Sequence, residues 1–179
     1  MISRRHFLTL LGSVAGSFLL TAHSPYLQWV TYRKAHLLLF TTRDDPGSDE
    51  LGELLAARLR EALPASKARV ARAPDGDRIA SLLSSAQADT AVLSHDRAQA
   101  LLRGEAPYAG YGAIALRALA KSEQYVLVCR EDFKPRHAFL VADALCQGNA
   151  PLLSLPDAND ALPAHSGALA VAAGTPPAE

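Results

Sequence analysis

The chain has 179 residues, of which 18 are basic and 18 acidic, so its formal net charge is zero. Hydrophobic residues make up 49% of the sequence, which is enough to build the single core of one domain. Because no basic patch stands out from this balanced charge, the composition argues against a nucleic-acid partner.

Two adjacent arginines precede an apolar stretch at the N-terminus. Arg4 and Arg5 are followed, after one spacer, by Phe7 and Leu8, and the apolar stretch continues to Leu20. A charged start before a short apolar segment is the layout of a secretory signal. The arrangement resembles the bacterial twin-arginine translocation motif, which is an address read by a receptor. The resemblance implies that the twin-arginine translocase recognises these four residues and exports the chain to the periplasm.

Residues 1–24 have two interpretations, a cleaved signal peptide or a membrane anchor. The segment Ala22-His23-Ser24 fits a cleavage site, but Pro25 follows it directly and hinders the peptidase. No Lys, Arg, Asp or Glu occurs from residue 7 to residue 32, and a spanning helix needs about 20 mostly apolar residues. The protein is therefore either released into the periplasm or tethered by an uncleaved N-terminal helix, with residues 25–34 as a linker.

The rest of the chain alternates short apolar runs with helical patterns. Apolar runs predict strands at residues 35–40, 90–93, 114–119 and 125–128, the first of them buried on both faces, and an alternating pattern predicts another at residues 67–72. Leucines at helical spacing and the breakers Pro64 and Gly104 predict helices at residues 51–63, 79–83, 98–102 and 138–146. Ser48 or Asp49 is expected to cap the first helix and Asp77 the second.

Alternation of helices with parallel strands predicts an α/β fold over residues 35–147. The expected form is a three-layer αβα sandwich with a mostly parallel sheet and right-handed crossovers, preceded by the N-terminal signal or anchor helix. Residues 148–179 are rich in Ala, Pro and Gly, which predicts a partly disordered tail.

Ligands of such sheets bind beyond the carboxyl ends of the strands. Three loops stand at that position, each close to the start of a helix, where backbone N–H groups favour an anion. The candidate ligand-binding residues in these loops are Thr41, Thr42, Ser48, Gly76, Asp77, Ser94 and His95.

No catalytic constellation accompanies these loops. Ser94, His95 and Asp96 have the residue types of a triad, but adjacent residues cannot face one another as nucleophile, base and orienting group. We therefore predict no enzymatic activity. The pair Asp44 and Asp45 is either a solvated turn or a site for a cation.

The sequence predicts no cofactor and no metal, because no phosphate-binding loop, CxxC or HExxH motif is present. Cys129 and Cys146 either form a disulfide in an oxidising compartment or serve as small buried hydrophobes. Tyr108 and Tyr111 flank glycines, where they either line a pocket or fill the edge of the core.

Several segments, in their order, resemble the first lobe of type II periplasmic solute-binding proteins. They are LLSSAQADTAVL at 82–93, LRALA at 116–120, YVLVCR at 125–130 and LPAHSGAL at 162–169. Within those proteins the chain looks most like the TAXI branch, which serves TRAP transporters. The resemblance implies an exported, non-enzymatic protein that captures a small solute for a membrane transporter.

The chain also departs from that family. Family members have two lobes, and this chain is expected to lack the second. Their glycine-rich ligand loop is replaced by residues 42–48, where Asp44 and Asp45 would repel a carboxylate unless Arg43 offsets them. The alternative function is an accessory or maturation subunit of a twin-arginine-exported respiratory oxidoreductase complex.

Overall fold

A computed structural model describes residues 36–147 and 150–177, which form one α/β domain. Its five strands are β1 (Leu38–Thr42), β2 (Arg69–Ala73), β3 (Thr90–Ser94), β4 (Leu116–Lys121) and β5 (Tyr125–Arg130). The described residues also form five α-helices, which are α1 (Pro46–Ala62), α2 (Gly76–Ser84), α3 (His95–Arg103), α4 (Pro135–Cys146) and α5 (Ser166–Ala172). None of these helices has the length and apolar character needed to cross a membrane.

The N-terminal predictions fall outside this domain. The twin-arginine motif, the cleavage site and the linker lie outside the described residues. Export therefore remains a prediction from sequence.

The sheet is mixed, with strand order β2-β1-β3-β5-β4. Strand β1 pairs in parallel with β2 and β3, whereas β5 runs antiparallel to both of its neighbours, β3 and β4. The α/β class is confirmed, but the expectation of a mostly parallel sheet is wrong for β5. Only residues 122–124 connect β4 to β5, and so short a connection allows a hairpin but not the crossover that parallel strands require.

Helices cover both faces of the sheet. Leu39, Val92 and Leu127 belong to one core cluster with apolar residues of α1 and α4. Their strand neighbours Leu38 and Leu93 are also buried, and successive strand side chains point to opposite faces. These neighbours therefore lie on the face that α2 and α3 cover, since those helices contact β1 and β3. The prediction that β1 is buried on both faces is confirmed.

Helix caps lie earlier in the chain than the sequence predicts. Asp45 caps α1, where its side chain accepts the N–H of Ser48, and Pro46 occupies the first turn. Asp75 caps α2, and Asp77 lies in the first turn instead. Both caps satisfy N–H groups that have no partner within the helix, and proline at the first helical position costs no hydrogen bond.

Residues 150–177 pack along the edge strand β4, contrary to the expectation of a tail from residue 148. The backbones of Lys121 and Ser154 exchange two hydrogen bonds of 2.8 Å, and the N–H of Ala118 donates to the carbonyl of Pro163. An edge strand offers unpaired backbone groups to any neighbouring segment, which composition alone does not reveal. This segment is therefore part of the domain.

The two cysteines are free thiols in the apolar interior. Cys129 belongs to the core cluster and Cys146 packs against it. Burial raises the pKa of both thiols, that of Cys146 to about 12. Of the two sequence interpretations, the structure favours small buried hydrophobes.

Docking of α5 on α4 depends on the absence of a side chain at Gly167. A Cβ there would overlap with the carbonyl of Pro135 and lie 2.7 Å from both Ala138 Cβ and Phe139 N. We expect Gly167→Ala to lower the free energy of unfolding by about 1–3 kcal/mol in urea denaturation. Gly110→Ala is the control, because nothing lies within 4 Å of a Cβ at that position. Equal effects of the two substitutions would contradict this docking.

His165 links the C-terminal segment to the domain in its neutral form. Its Nδ1 accepts the N–H of Gly167 at 3.0 Å, and its Nε2 lies 2.9 Å from the carbonyl of Phe133. Burial lowers its pKa below 6.5, against an opposing effect of the bond to Phe133. The unfolded chain therefore binds more protons, and stability falls as the pH drops below 6.5.

His165→Asn should weaken this pH dependence, because asparagine can still cap α5 but does not titrate. The measurement is the free energy of unfolding at about pH 7 and pH 5. His137→Asn is the matched control, since His137 is exposed. A wild-type pH dependence that survives in His165→Asn would show that another group causes it.

Candidate functional site

Three loops meet at one edge of the sheet. Strands β1, β2 and β3 are parallel, so their carboxyl ends at Thr42, Ala73 and Ser94 lie on the same side. Ser94 pairs with Tyr125 at the start of β5, which places the β4–β5 turn at this edge as well. Helices α1, α2 and α3 all begin here, so their N-termini are brought together as predicted.

Three of the candidate residues hold the first loop in shape. Thr41, Thr42 and Ser48 are each at most 1% exposed. Thr41 Oγ1 donates to Asp49 at 3.0 Å. Ser48 Oγ donates to the carbonyl of Asp45 at 2.8 Å and accepts the N–H of Thr42 at 3.4 Å. Their polar groups are occupied within the protein, so these residues position the loop and do not face a ligand.

Asp44 and Arg97 form a two-armed ion pair across the edge. Arg97 Nη1 lies 3.1 Å from Asp44 Oδ1, and Nη2 lies 3.2 Å from Oδ2. This fork geometry is the stronger form of the arginine–carboxylate pair. Arg97 also donates to Thr42 Oγ1 at 3.2 Å.

The Asp44 carboxylate takes the place that an anionic ligand would occupy. Partial burial raises its pKa, but hydrogen bonds from Thr42 and Arg97, the charge of Arg97 and the Gly76 N–H outweigh this and hold the pKa below 3.8. Gly76 is the first residue of α2, so its N–H is one of the donors that would otherwise attract an anion. The structure thus disfavours the predicted anion at this helix start.

Asp45 is also partnered. Tyr125 Oη donates to Asp45 Oδ1 at 2.7 Å, and this bond raises the pKa of Tyr125. The phenol reaches Asp45 by passing over Gly47, where a Cβ would overlap with Oη. Asp44 and Asp45 therefore lie in a turn that is partly exposed to solvent, and each has a side-chain partner within the chain.

A cleft of about 350 Å³ opens between the first turns of α2 and α3. We refer to it as the α2–α3 cleft. Its charged lining consists of one base, Arg97, and four acids, which are Asp44, Asp75, Asp77 and Asp96. Because Arg97 is already paired with Asp44, the unpaired charge of the lining is negative.

Tyr108 forms a wall of this cleft. Its side chain is only 4% exposed, and its hydroxyl lies against Gly76, where a Cβ would overlap with it. Burial raises the pKa of Tyr108 and thereby keeps its hydroxyl protonated. No hydrogen bond joins this hydroxyl to another of residues 36–147 and 150–177, and because it is not one of the fully buried unpartnered atoms, it remains open to solvent.

His95 lines a second cleft, of about 470 Å³, on the β4–β5 side of α3. Its Nε2 lies 2.9 Å from the carbonyl of Ser122. Lys121 in the same cleft is bound at 2.7 Å by Asp157 and at 2.6 Å by Asp160, which together raise its pKa. The candidate residues Gly76 and His95 therefore belong to two different clefts.

Ser94 caps α3 and lines neither cleft. Its side chain accepts the N–H of Arg97 at 3.5 Å. Asp77 lies in the α2–α3 cleft. Of the seven candidate residues, only Gly76 and Asp77 line the cleft that also holds Arg97 and Tyr108.

Comparison with known proteins gives no match. No family model, no curated protein and no solved structure corresponds to this chain. Within the part of the chain that the structure describes, no group of three or more His, Cys, Asp or Glu side chains could hold a metal ion.

Asp44→Asn should destabilise the domain at neutral pH, with a difference from the wild type that vanishes in acid. The carboxylate pKa is depressed, so its contribution is present above 3.8 and is lost as the pH falls through the lower folded value. Because the side chain is 42% exposed, the loss should stay near or below about 1 kcal/mol. Urea denaturation at several pH values measures it.

A double-mutant cycle that combines Asp44→Asn with Arg97→Gln tests whether loss of the ion pair causes this destabilisation. If the ion pair is responsible, the double variant should be less destabilised than the sum of the two single variants. Strict additivity would contradict the pairing.

Proposed function

We propose that the chain is an exported, non-enzymatic binding protein that captures a small solute for a membrane transporter. The observation that carries the proposal is the α2–α3 cleft, which lies at the carboxyl edge of the sheet and has an unpaired hydroxyl, that of Tyr108, in its wall. A concave site with a few polar groups at this edge is where α/β folds bind small molecules.

The layered arrangement supports the comparison with one lobe of a type II periplasmic solute-binding protein. Helices on both faces and helix starts at one rim are what such a lobe requires. A single lobe leaves part of a small ligand exposed to water, short of the burial usual for tight sites. We therefore propose that the transporter or another partner covers the remaining side.

The positions of Ser94 and His95 support a non-enzymatic role. The Ser94 side chain caps α3, and the His95 ring is directed to the carbonyl of Ser122. A nucleophile needs a base within hydrogen-bond reach, and these two side chains are engaged with other partners.

Export can be tested at the arginine pair. Replacing Arg4 and Arg5 together by lysine should keep the chain in the cytoplasm, because the receptor reads the guanidinium pair as an address. Cell fractionation of wild type and variant gives the distribution. A control with Arg33→Lys, outside the motif, should export normally. Equal export of all three would contradict the twin-arginine route.

Solute capture can be tested by ligand-dependent stability. A panel of amino acids, carboxylates, amines and oxyanions is screened by thermal unfolding of the full chain. A true ligand should raise stability by about 2.7 kcal/mol at a hundredfold excess over its dissociation constant.

A variant that fills the cleft shows whether a stabilising solute binds there. Ala100 lines the α2–α3 cleft, so Ala100→Trp should abolish the stabilisation. Ala57→Trp is the control, because Ala57 is exposed on α1 and lines neither cleft. Stabilisation that survives Ala100→Trp would place the ligand elsewhere.

An accessory role in an exported enzyme complex is the second candidate. The described residues include large apolar side chains exposed on α1, α4 and α5, namely Leu54, Leu140 and Leu169, which are 53%, 38% and 40% exposed. Helix α4 packs against both α1 and α5, so these side chains belong to adjoining helices. Co-purification of an exported oxidoreductase that is lost in Leu54→Glu and Leu140→Glu, with no solute response, would favour this role.

A further inference from the structure

The α2–α3 cleft presents hydrogen-bond acceptors rather than donors. An ionised carboxylate accepts hydrogen bonds and cannot donate them. Four carboxylates line the cleft. At the start of α2, the N–H of Arg78 donates to Asp75 at 2.8 Å, and the Gly76 N–H lies close enough to the Asp44 carboxylate to lower its pKa. The one guanidinium in the lining, that of Arg97, is paired with Asp44.

The net charge of the lining also favours a cationic ligand. Four carboxylates against one guanidinium leave three negative charges, and the two helix N-termini offset about half a charge each. A carboxylate or phosphate entering the cleft would therefore be repelled, whereas a cation would be attracted.

Tyr108 gives a second, independent indication of a ligand. Its side chain is 4% exposed and its hydroxyl faces the cleft beside Gly76. The rest of the side chain is buried, but the hydroxyl oxygen has no partner within the described residues and stays open to solvent, so a ligand or water can bond to it. The phenol oxygen can accept an N–H from a ligand at the inner wall of the cleft.

The acids are dispersed around the cleft rather than converging on a point. Within the described ranges, no three of them could hold one metal ion. Separate carboxylates suit a ligand with separate positive groups, and a volume of about 350 Å³ is at the small end of ligand pockets.

We propose that the α2–α3 cleft binds a short aliphatic polyamine, with one ammonium group at Tyr108 and others at the surrounding carboxylates. The assignment rests on the proposed function, solute capture, and specifies the chemical class of the solute. Each ammonium offers hydrogen-bond donors and no acceptor, which complements this lining.

Isothermal titration of the full chain with spermidine, putrescine and L-glutamate tests the assignment. Spermidine should bind more tightly than putrescine, because it carries one more positive charge, and L-glutamate should not bind. The affinity for spermidine should fall as sodium chloride is raised, since salt screens exposed charges.

Two variants and a control assign the binding to the cleft. Tyr108→Phe should weaken spermidine binding about tenfold, the value of a hydrogen bond to a charged group, while the melting temperature of the free protein stays the same. Asp96→Asn should weaken it by a similar factor. Glu50→Gln should have no effect, because Glu50 is exposed near the start of α1 and outside the cleft.

The negative outcomes are distinguishable. Binding of L-glutamate instead of spermidine, abolished by Ala100→Trp, would overturn the polyamine assignment and leave solute capture standing. Binding of Mg²⁺ in preference to spermidine, or spermidine binding that is indifferent to Tyr108→Phe and Asp96→Asn, would also overturn the assignment. Failure of every solute in the wider panel would remove both proposals.

Discussion

The ion pair between Asp44 and Arg97 determines the character of the sheet edge. It joins the loop after β1 to the first turn of α3, and the same carboxylate lies close to the Gly76 N–H at the start of α2. Three segments far apart in sequence are thereby held around one carboxylate. The pair is partly exposed, so its contribution to stability is modest, but it decides which charges remain free for a ligand.

Much of the fold could be predicted from the sequence. Continuous apolar runs indicated buried strands, and leucine spacing with Pro64 and Gly104 indicated the helices, because these patterns are local. The antiparallel direction of β5 could also be predicted, since the three-residue connection at 122–124 is too short for a crossover. The packing of residues 150–177 could not be predicted, because it depends on the unpaired edge of β4, which is a property of the assembled sheet.

The candidate site was predicted less well than the fold. The strand ends were identified correctly, but Thr41, Thr42 and Ser48 form internal hydrogen bonds, and a sequence does not show whether a loop hydroxyl faces inwards. Arg97 was missed because it lies in the first turn of α3, where a charged residue is usually a solvated side chain. For Tyr108 the sequence left open a pocket wall or a filler of the core edge, and the close approach to Gly76 in the cleft favours the pocket wall.

These contacts reverse the charge expected of the ligand. The usual argument is that a helix N-terminus attracts an anion, and it holds only while the N–H groups are free. Here Asp75 accepts the Arg78 N–H, and the Asp44 carboxylate lies close to the Gly76 N–H, which lowers its pKa. Both carboxylates lie at the start of α2 and line the cleft, so this helix start becomes part of an acidic wall. The identity of the N-cap and loop residues, rather than the direction of the helix dipole, therefore sets the sign of the charge at the site. The open side of the single domain leaves that site accessible to a flexible cation.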